Sequence, residues 1–234
     1  MVGSGEFTPA MTGIDRELLR SIGPSPRVVV LPTAAGGEDP GDWAYRGVEH
    51  FTRLGAQSVA LMVLDRIHAS DPAHVAEIER ADLVYFSGGK PARLMAAIEA
   101  SPLFDGMLRA RANGAWIVGA SAGAMVLGDW TLVHTEADPH GTPTIWTIGL
   151  GMLQGIATVP HYDIWLEGPQ LAAEISPQCT VFGVDEDSAL LLDETEALVR
   201  GRGGVVVWSE SGARRYADGA RFSLTDAVRS LRRS

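Results

Sequence analysis

The stretch WIVGASAGA, residues 116–124, combines an apolar run with a turn of small residues and indicates the fold class of this 234-residue chain. The apolar residues predict a buried strand over 115–118, and the small residues after it predict an abrupt turn into a helix. Ser121 lies at the centre of the turn, with Gly119 two residues before it and Gly123 two residues after it. In a Gly-x-Ser-x-Gly elbow, bulky neighbours would keep strand and helix apart, and the serine hydroxyl is exposed above the sheet. We therefore expect Ser121 to be a nucleophile.

Short apolar runs alternate with helical patterns on the N-terminal side of this elbow. The predicted strands cover residues 27–32, 59–64, 83–86 and 115–118. The predicted helices cover residues 42–54, 72–81, 93–100 and 104–113. This alternation is typical of βαβ units, in which helices cover both faces of a parallel sheet. We expect a three-layer α/β fold with a mostly parallel sheet.

The last part of the chain has a different pattern. Short predicted strands over 197–201, 205–208 and 214–217 surround turn segments at Gly203-Gly204 and Asp218-Gly219. They predict an antiparallel extension at one edge of the sheet. Because no linker or internal repeat interrupts the chain, we expect a single domain over residues 1–234.

The composition excludes several classes of protein. The formal net charge is −10, from 29 acidic and 19 basic residues, whereas a nucleic-acid footprint needs clustered Lys and Arg. The single cysteine, Cys179, forbids an internal disulfide framework. No apolar run approaches the roughly 20 residues of a membrane helix, and the first residues lack the pattern of a signal peptide. We expect a cytoplasmic protein that binds neither nucleic acid nor a membrane.

A glycine pair follows the strand predicted over 83–86. Ligands of open α/β sheets bind at the carboxyl ends of the strands, and Gly88 and Gly89 lie at such an end. The backbone N–H of Gly88 or Gly89, together with that of Ala122, is suited to stabilise an oxyanion.

A serine nucleophile needs a general base, which is usually a histidine. Of the six histidines, His161 directly follows the apolar run 156–160, at the end of a predicted strand and so at the same edge as Ser121. His134 and His140, in an irregular stretch, are alternatives. The remaining histidines lie in polar segments and are predicted to be surface residues: His50, His68 and His74.

A third residue, usually a carboxylate, orients the base. Carboxylates follow the strand predicted over 181–184, and Glu136 and Asp138 are alternatives closer to Ser121 in sequence. The carboxylates after that strand are Asp185, Glu186 and Asp187. Residue chemistry leaves this choice open.

Neither a metal nor a cofactor is expected. The histidines show no ligand spacing such as His-x-His or His-Glu-x-x-His. The sequence also contains no Gly-x-Gly-x-x-Gly dinucleotide fingerprint and no Walker sequence.

Seven motifs, taken together, resemble those of the serine peptidase family that contains aspartyl dipeptidase and cyanophycinase. In chain order they are GSGE at 3–6, LPTA at 31–34, FSGG at 86–89, GASAGA at 119–124, GLGML at 149–153, PH at 160–161 and GVDEDSA at 183–189. The resemblance spans nearly the whole chain. It implies a flavodoxin-related architecture like that of class I glutamine amidotransferases.

The resemblance also implies the residues of the site. It implies a triad of Ser121, His161 and Glu186, with an oxyanion hole from the backbone of Gly89 and Ala122. An amidotransferase would carry cysteine at the elbow, and here that position is serine. The resemblance thus implies a serine-type peptidase or amide hydrolase that acts on small peptides or isopeptides.

Two segments depart from the cyanophycinase pattern. Residues 162–167, YDIWLE, replace an arginine-rich segment, and Lys90-Pro91 replaces an acidic or amide residue followed by glutamine. We expect the same catalytic residues with different substrate contacts. An esterase with the same triad and a non-catalytic small-molecule binder are the alternatives, and the sequence leaves open whether the chain forms a homodimer.

Overall fold

The computed structural model describes residues 1–134, 144–210 and 212–224. These residues group into two compact units. The N-terminal unit comprises residues 6–123, and the C-terminal unit comprises residues 1–5 together with the chain from 124 onward. The prediction of a single domain stays a prediction.

A parallel four-stranded sheet forms the centre of the N-terminal unit. Its strands are β1 (Arg27–Leu31), β2 (Gln57–Ala60), β3 (Leu83–Phe86) and β4 (Trp116–Gly119). They lie in the order β2-β1-β3-β4, and every neighbouring pair is parallel. Residues 28–31 and 83–86 are buried, as expected for central strands whose two faces are both covered. All four strands therefore have their carboxyl ends at one edge.

Five helices connect or flank these strands. They are α1 (Thr12–Ile22), α2 (Pro40–Arg53), α3 (Pro72–Glu79), α4 (Pro91–Ile98) and α5 (Pro102–Ala112). From α2 onward each begins with proline, whose missing N–H costs nothing in the first turn. The side chains of Asp39, Asp71 and Ser101 accept backbone N–H groups and cap three of these helices.

The second strand lies earlier in the chain than the sequence predicts. The expected strand covers residues 59–64, whereas β2 ends at Ala60. The ladder with β1 closes with the N–H of Leu61 bound to the carbonyl of Val30. Since β1 ends at Leu31, the later apolar residues have no further backbone to pair with, although their composition favours a strand.

The C-terminal unit contains two sheets. The short helix α6 (Ala122–Val126) begins in the last two residues of the N-terminal unit and ends in the C-terminal unit. The other helix is α7 (Gly168–Ile175), and the strands are β5 (Gly128–His134), β6 (Thr144–Ile148), β7 (Leu153–Val159), β8 (Thr180–Val184), β9 (Ser188–Leu192), β10 (Glu196–Gly201), β11 (Gly204–Ser209), β12 (Gly212–Ala217) and β13 (Arg221–Ser223). A six-stranded sheet has the order β12-β11-β8-β7-β5-β6, and a three-stranded sheet has the order β13-β10-β9. Strands β5, β7 and β8 run parallel to one another, whereas the other pairings are antiparallel.

The core of the C-terminal unit lies between α7 and the larger sheet. Leu171 and Ile175 of α7 pack with Ala157, Val159 and Val181 of the parallel strands. These side chains are almost completely removed from water. Burial of this kind stabilises the unit and fixes the ends of β7 and β8 relative to each other.

The prediction of an α/β fold with parallel strands and antiparallel C-terminal strands is confirmed. Strands β11 and β12 form the antiparallel edge of the six-stranded sheet. The strands β5, β6, β9 and β13 and the helices α1 and α7 are absent from the sequence prediction. Likeness to the class I glutamine amidotransferase architecture stays a prediction. Within the described ranges, no helix has the length and apolar character that crossing a lipid bilayer requires.

Candidate active site

Ser121 lies just beyond the carboxyl end of β4, the edge strand that pairs with β3. Phe86 of β3 is the register partner of Gly119 of β4, and the N–H of Ala120 donates to the carbonyl of Phe86 at 3.0 Å. Ser121 follows with φ of 50°, in the left-handed region that non-glycine residues rarely adopt. Such a conformation costs on the order of 1–3 kcal/mol and concentrates at functional sites. Ser121 is partly exposed, whereas its neighbours on both sides are buried.

The glycine after the serine is required by close packing. A Cβ atom on Gly123 would lie 2.7 Å from both the Cβ atom and the carbonyl oxygen of Phe86. Any side chain there would push the start of α6 away from β3. This contact explains in physical terms why the elbow motif demands a small residue two positions after Ser121.

The glycine pair after β3 presents backbone amides beside the elbow. The N–H of Gly88 donates to Oε1 of Glu6 at 2.8 Å. Gly89 has φ of 137°, and a Cβ atom there would lie 2.4 Å from the carbonyl of Ala34. Among the described residues, no acceptor faces the N–H of Gly89 or that of Ala122. The N–H groups of Gly89 and Ala122 therefore remain available to a ligand. The N–H of Gly88, which the sequence offered as the alternative to that of Gly89, is already bound to Glu6.

His161 follows β7 after a single proline. Its φ of 51° is again in the left-handed region, and its carbonyl accepts the N–H groups of Ile164 and Trp165 at 3.0 and 2.8 Å. The next residue, Tyr162, donates its N–H to the carbonyl of Val184 at 3.1 Å. These bonds hold the turn that carries the imidazole against the end of β8.

His161 and Glu186 are hydrogen-bonded to each other. Nδ1 of His161 lies 2.7 Å from Oε1 of Glu186. The two side chains meet because β7 and β8 are parallel neighbours, with Val159 paired to Gly183, so both strands end at the same edge. Their side chains are 34% and 38% exposed, so a substrate can reach them. A carboxylate only accepts, so the imidazole carries its proton on Nδ1, and Nε2 is the basic nitrogen.

The carboxylates on either side of Glu186 have other partners. Asp185 is completely buried, and its Oδ2 accepts the N–H of Gly204 at 2.8 Å and pairs with Arg215. Asp187 pairs with Arg202 at 3.0 Å. Of the three consecutive acids, therefore, only Glu186 contacts His161 in the described residues.

An aromatic pair that the sequence does not single out supports the histidine turn. The hydroxyl of Tyr162 accepts Nε1–H of Trp208 at 2.7 Å. The ring of Tyr162 occupies the space beside Gly183, where a Cβ atom would lie 2.4 Å from it. Asp163 accepts the N–H of Glu186 at 2.9 Å. The sequence signals were the glycine in GVDED and the polar residue two positions after His161, but neither identifies its partner.

The remaining predicted candidates take no part in these contacts. The prediction that His50 is a surface residue is wrong: its side chain is only 10% exposed, and its Nε2 lies 2.8 Å from Oδ2 of the buried Asp15. His68 pairs with Asp65 at the surface, where His74 contacts the carbonyl of His68. His134 ends β5. The alternatives that lie outside the described residues are Glu136, Asp138 and His140.

The described residues contain no grouping of three or more His, Cys, Asp or Glu side chains that would hold a metal ion. Cys179 is buried, and burial raises the pKa of its thiol to about 12. A thiol of this kind stays protonated and is a poor nucleophile.

The predicted site residues thus form two groups. Ser121, Ala122 and Gly89 belong to the N-terminal unit, and His161 and Glu186 belong to the C-terminal unit. Within the first group a serine lies in a strained turn near two amide donors. Within the second group a carboxylate orients an imidazole. These are the chemical components of nucleophilic acyl transfer.

Comparison with known proteins identifies the family. The model of peptidase family S51 matches residues 1–200. The chain belongs to peptidase family S51. This membership confirms the family resemblance of the sequence motifs, and it implies a serine peptidase that acts on a peptide substrate.

Two curated relatives of this S51 peptidase are cyanophycinases. The cyanophycinase of Geminocystis herdmanii is 24% identical over 214 residues, which cover 88% of this chain and 78% of the relative. The cyanophycinase of Synechococcus elongatus is 29% identical over 185 residues, which cover 76% of this chain and 57% of the relative. The chain thus spans little more than half the length of the second protein.

Two solved structures have the same fold as this S51 peptidase. A peptidase from an acI-B1 actinobacterium superimposes with a TM-score of 0.82 and 30% identity, covering 95% of both chains. A protein described as a putative peptidase E from Listeria monocytogenes superimposes with a TM-score of 0.60 and 17% identity. This match covers 80% of our chain and 93% of the Listeria chain, and at this identity it supports the fold alone.

Proposed function

We propose that this S51 peptidase hydrolyses peptide or amide bonds of small peptides or isopeptides, with Ser121 as nucleophile, His161 as general base and Glu186 as its orienting carboxylate. The observation that carries the proposal is the left-handed backbone of Ser121 beside the amides of Gly89 and Ala122. Strain at one serine next to two amides without acceptors is expected of a nucleophile with an oxyanion hole.

The first step forms an acyl-enzyme. Oγ of Ser121 attacks the carbonyl carbon of the substrate, and its proton passes to Nε2 of His161. The carbonyl oxygen becomes an oxyanion that accepts hydrogen bonds from the N–H groups of Gly89 and Ala122. When the tetrahedral intermediate collapses, the C–N bond breaks and the leaving amine takes the proton from His161.

The second step regenerates the enzyme. A water molecule gives a proton to His161 and attacks the acyl carbon, so that a second tetrahedral intermediate forms. Its collapse breaks the ester bond, releases the carboxylic acid and returns the proton to Oγ of Ser121. Throughout, Glu186 holds the Nδ1–H of His161 and stabilises the imidazolium that forms in each step.

Small peptides and isopeptides are the proposed substrates on the basis of the family. The similar proteins include cyanophycinases and a putative peptidase E. In this chain the segment after His161 carries exposed apolar side chains, Ile164 and Leu166. It has no arginine between Tyr162 and Glu167. These residues support a substrate that differs from the arginine-bearing polymer of the cyanophycinases.

A labelling experiment followed by a substrate panel tests the proposal. A fluorophosphonate probe should modify Ser121 in the wild-type protein, with loss of fluoride from phosphorus, and should leave Ser121→Ala unmodified. Dipeptides, isoaspartyl dipeptides and amino-acid amides should then be hydrolysed faster than p-nitrophenyl esters are, relative to their uncatalysed rates. Hydrolysis confined to esters would favour an esterase, and absence of both labelling and hydrolysis would favour a non-catalytic binding protein.

A further inference from the structure

Glu6 is a buried carboxylate close to the serine elbow. The residue is only 5% exposed, and its Oε1 accepts the N–H of Gly88 at 2.8 Å. Glutamate is rarely buried unless its charge has a partner. Within the described ranges, however, no Lys, Arg or His side chain lies at ion-pair distance from Glu6. The hydrogen bond that the structure shows for its side chain is the one from the backbone N–H of Gly88.

The backbone on both sides of Glu6 is held in unusual conformations. Gly5 has φ of 80° and Phe7 has φ of 63°. For Phe7, a bulky non-glycine residue, this conformation is costly. Its ring packs against Tyr85 and Phe51, with centroid distances of 5.2 and 5.9 Å, and this packing offsets the cost. Strain around a side chain that touches a candidate site is a reason to look for a function.

Gly88 fills the space between Glu6 and the nucleophile. A Cβ atom on Gly88 would lie 2.6 Å from Oε1 of Glu6 and 3.4 Å from Cβ of Ser121. The N–H that the carboxylate binds belongs to the Ser87–Gly88 peptide, which directly precedes the Gly88–Gly89 peptide. A hydrogen bond to a charged acceptor is roughly twice as strong as a neutral one, so this bond restrains the Ser87–Gly88 peptide effectively.

We infer that Glu6 is a positioning residue for the oxyanion hole. By holding the N–H of Gly88, the carboxylate fixes the Ser87–Gly88 peptide. That peptide is the anchor from which the next one, Gly88–Gly89, directs the N–H of Gly89 toward the developing oxyanion. Glu6 itself does not touch the reacting atoms and transfers no proton. This inference rests on the proposed function, in which Gly89 is one of the two oxyanion donors.

The hydrogen bond and the charge of Glu6 can be separated by substitution. Glu6→Gln keeps an amide oxygen that can accept the same N–H, whereas Glu6→Ala removes the acceptor. Glu49→Ala removes a glutamate whose recorded ion pair is with Arg53 on α2 and is the matched control. Each variant is compared with the wild type by thermal unfolding, by hydrogen exchange of the Gly88 amide and by the rate of fluorophosphonate labelling. The kcat and KM of the best substrate are measured alongside.

The inference predicts a specific pattern across these variants. Glu6→Ala should slow labelling and lower kcat by about 10- to 100-fold, less than complete loss of an oxyanion donor, while KM changes by less than about threefold. Its Gly88 amide should exchange faster. Glu6→Gln and Glu49→Ala should stay within about threefold of wild type in labelling and kcat.

Other outcomes would overturn the inference in distinct ways. Wild-type labelling and kcat in Glu6→Ala, even with a lower Tm, would make Glu6 a merely structural residue. A raised KM with unchanged kcat in Glu6→Gln would instead assign Glu6 to binding a positively charged substrate group. If the wild type itself is neither labelled nor active, the proposed function fails. Even then, a Gly88 amide that exchanges at the wild-type rate in Glu6→Ala would show that the hydrogen bond to Glu6 does not restrain this part of the backbone.

Discussion

Nδ1 of His161 and Oε1 of Glu186 lie 2.7 Å apart, although 25 residues separate them in the chain. The two residues follow adjacent parallel strands, so the pairing of β7 with β8 brings them to one edge. Asp163 accepts the N–H of Glu186, which ties the two turns together. The geometry matches a base whose tautomer is set by a carboxylate.

Replacement of the nucleophile should abolish hydrolysis without unfolding the protein. In Ser121→Ala a small side chain remains in the elbow, so the free energy of unfolding should change little. Removal of a triad serine lowers kcat by roughly a million-fold in serine peptidases. The measurement is kcat on the best peptide substrate together with thermal unfolding. Activity within tenfold of wild type would disprove the role of Ser121.

Neutralising Glu186 should lower kcat strongly, whereas neutralising its neighbour should not. Glu186→Gln removes the charge that stabilises the imidazolium, and kcat should fall by about 10²- to 10⁴-fold with little change in KM. Asp187→Asn is the matched control, because asparagine tolerates the φ of 51° at that position. Equal effects of the two substitutions on kcat would argue against a specific role for Glu186.

A methyl group on Gly123 should damage both stability and activity. In Gly123→Ala the new Cβ atom would overlap with Phe86, and overpacking of this kind costs about 1–3 kcal/mol in the free energy of unfolding. The start of α6 would shift, so labelling of Ser121 should also slow. Gly13→Ala is the control, since nothing lies within 4 Å of its added Cβ atom. If both variants unfold at the wild-type temperature, the close contact with Phe86 is not needed.

The single cysteine should be inert in the folded protein. Burial raises the pKa of Cys179 to about 12, so at pH 8 only about one molecule in 10⁴ carries the reactive thiolate. Iodoacetamide should modify Cys179 rapidly only after unfolding in guanidinium chloride, and Cys179→Ala should retain wild-type kcat. Rapid inactivation of the native enzyme by the reagent would contradict this expectation.

Cyanophycin should be a poor substrate. The turn after His161 carries Ile164 and Leu166, which offer no hydrogen bonds to the polar side chains of that polymer. Release of β-Asp-Arg should therefore be much slower than hydrolysis of the best dipeptide at equal protein concentration, as measured by mass spectrometry. Comparable rates would show that cyanophycin recognition does not require the arginine-rich segment.

Much of the fold and some of the site were accessible from the sequence because their signals are local. The apolar runs over 27–32, 83–86 and 115–118 predict strands, and each of them matches a strand of the structure to within one residue at either end. The small residues of GASAGA predict a sharp turn, since larger residues would not fit. The positions of Ser121 and His161 at strand ends follow from the same local patterns. The irregular β5–β6 region carries weaker local signals, and its strands were missed.

Only the tertiary structure decided which residues contact each other. Asp185, Glu186 and Asp187 are equivalent acids in sequence, yet the register of β8 with β7 and β11 turns them toward Gly204, His161 and Arg202 respectively. Likewise, Gly88 and Gly89 are equivalent until Glu6, which is 82 residues away, takes the N–H of Gly88. Local patterns determine where a strand ends. Contacts between residues that are distant in the chain depend on strand pairing and side-chain packing, which no short window of sequence encodes.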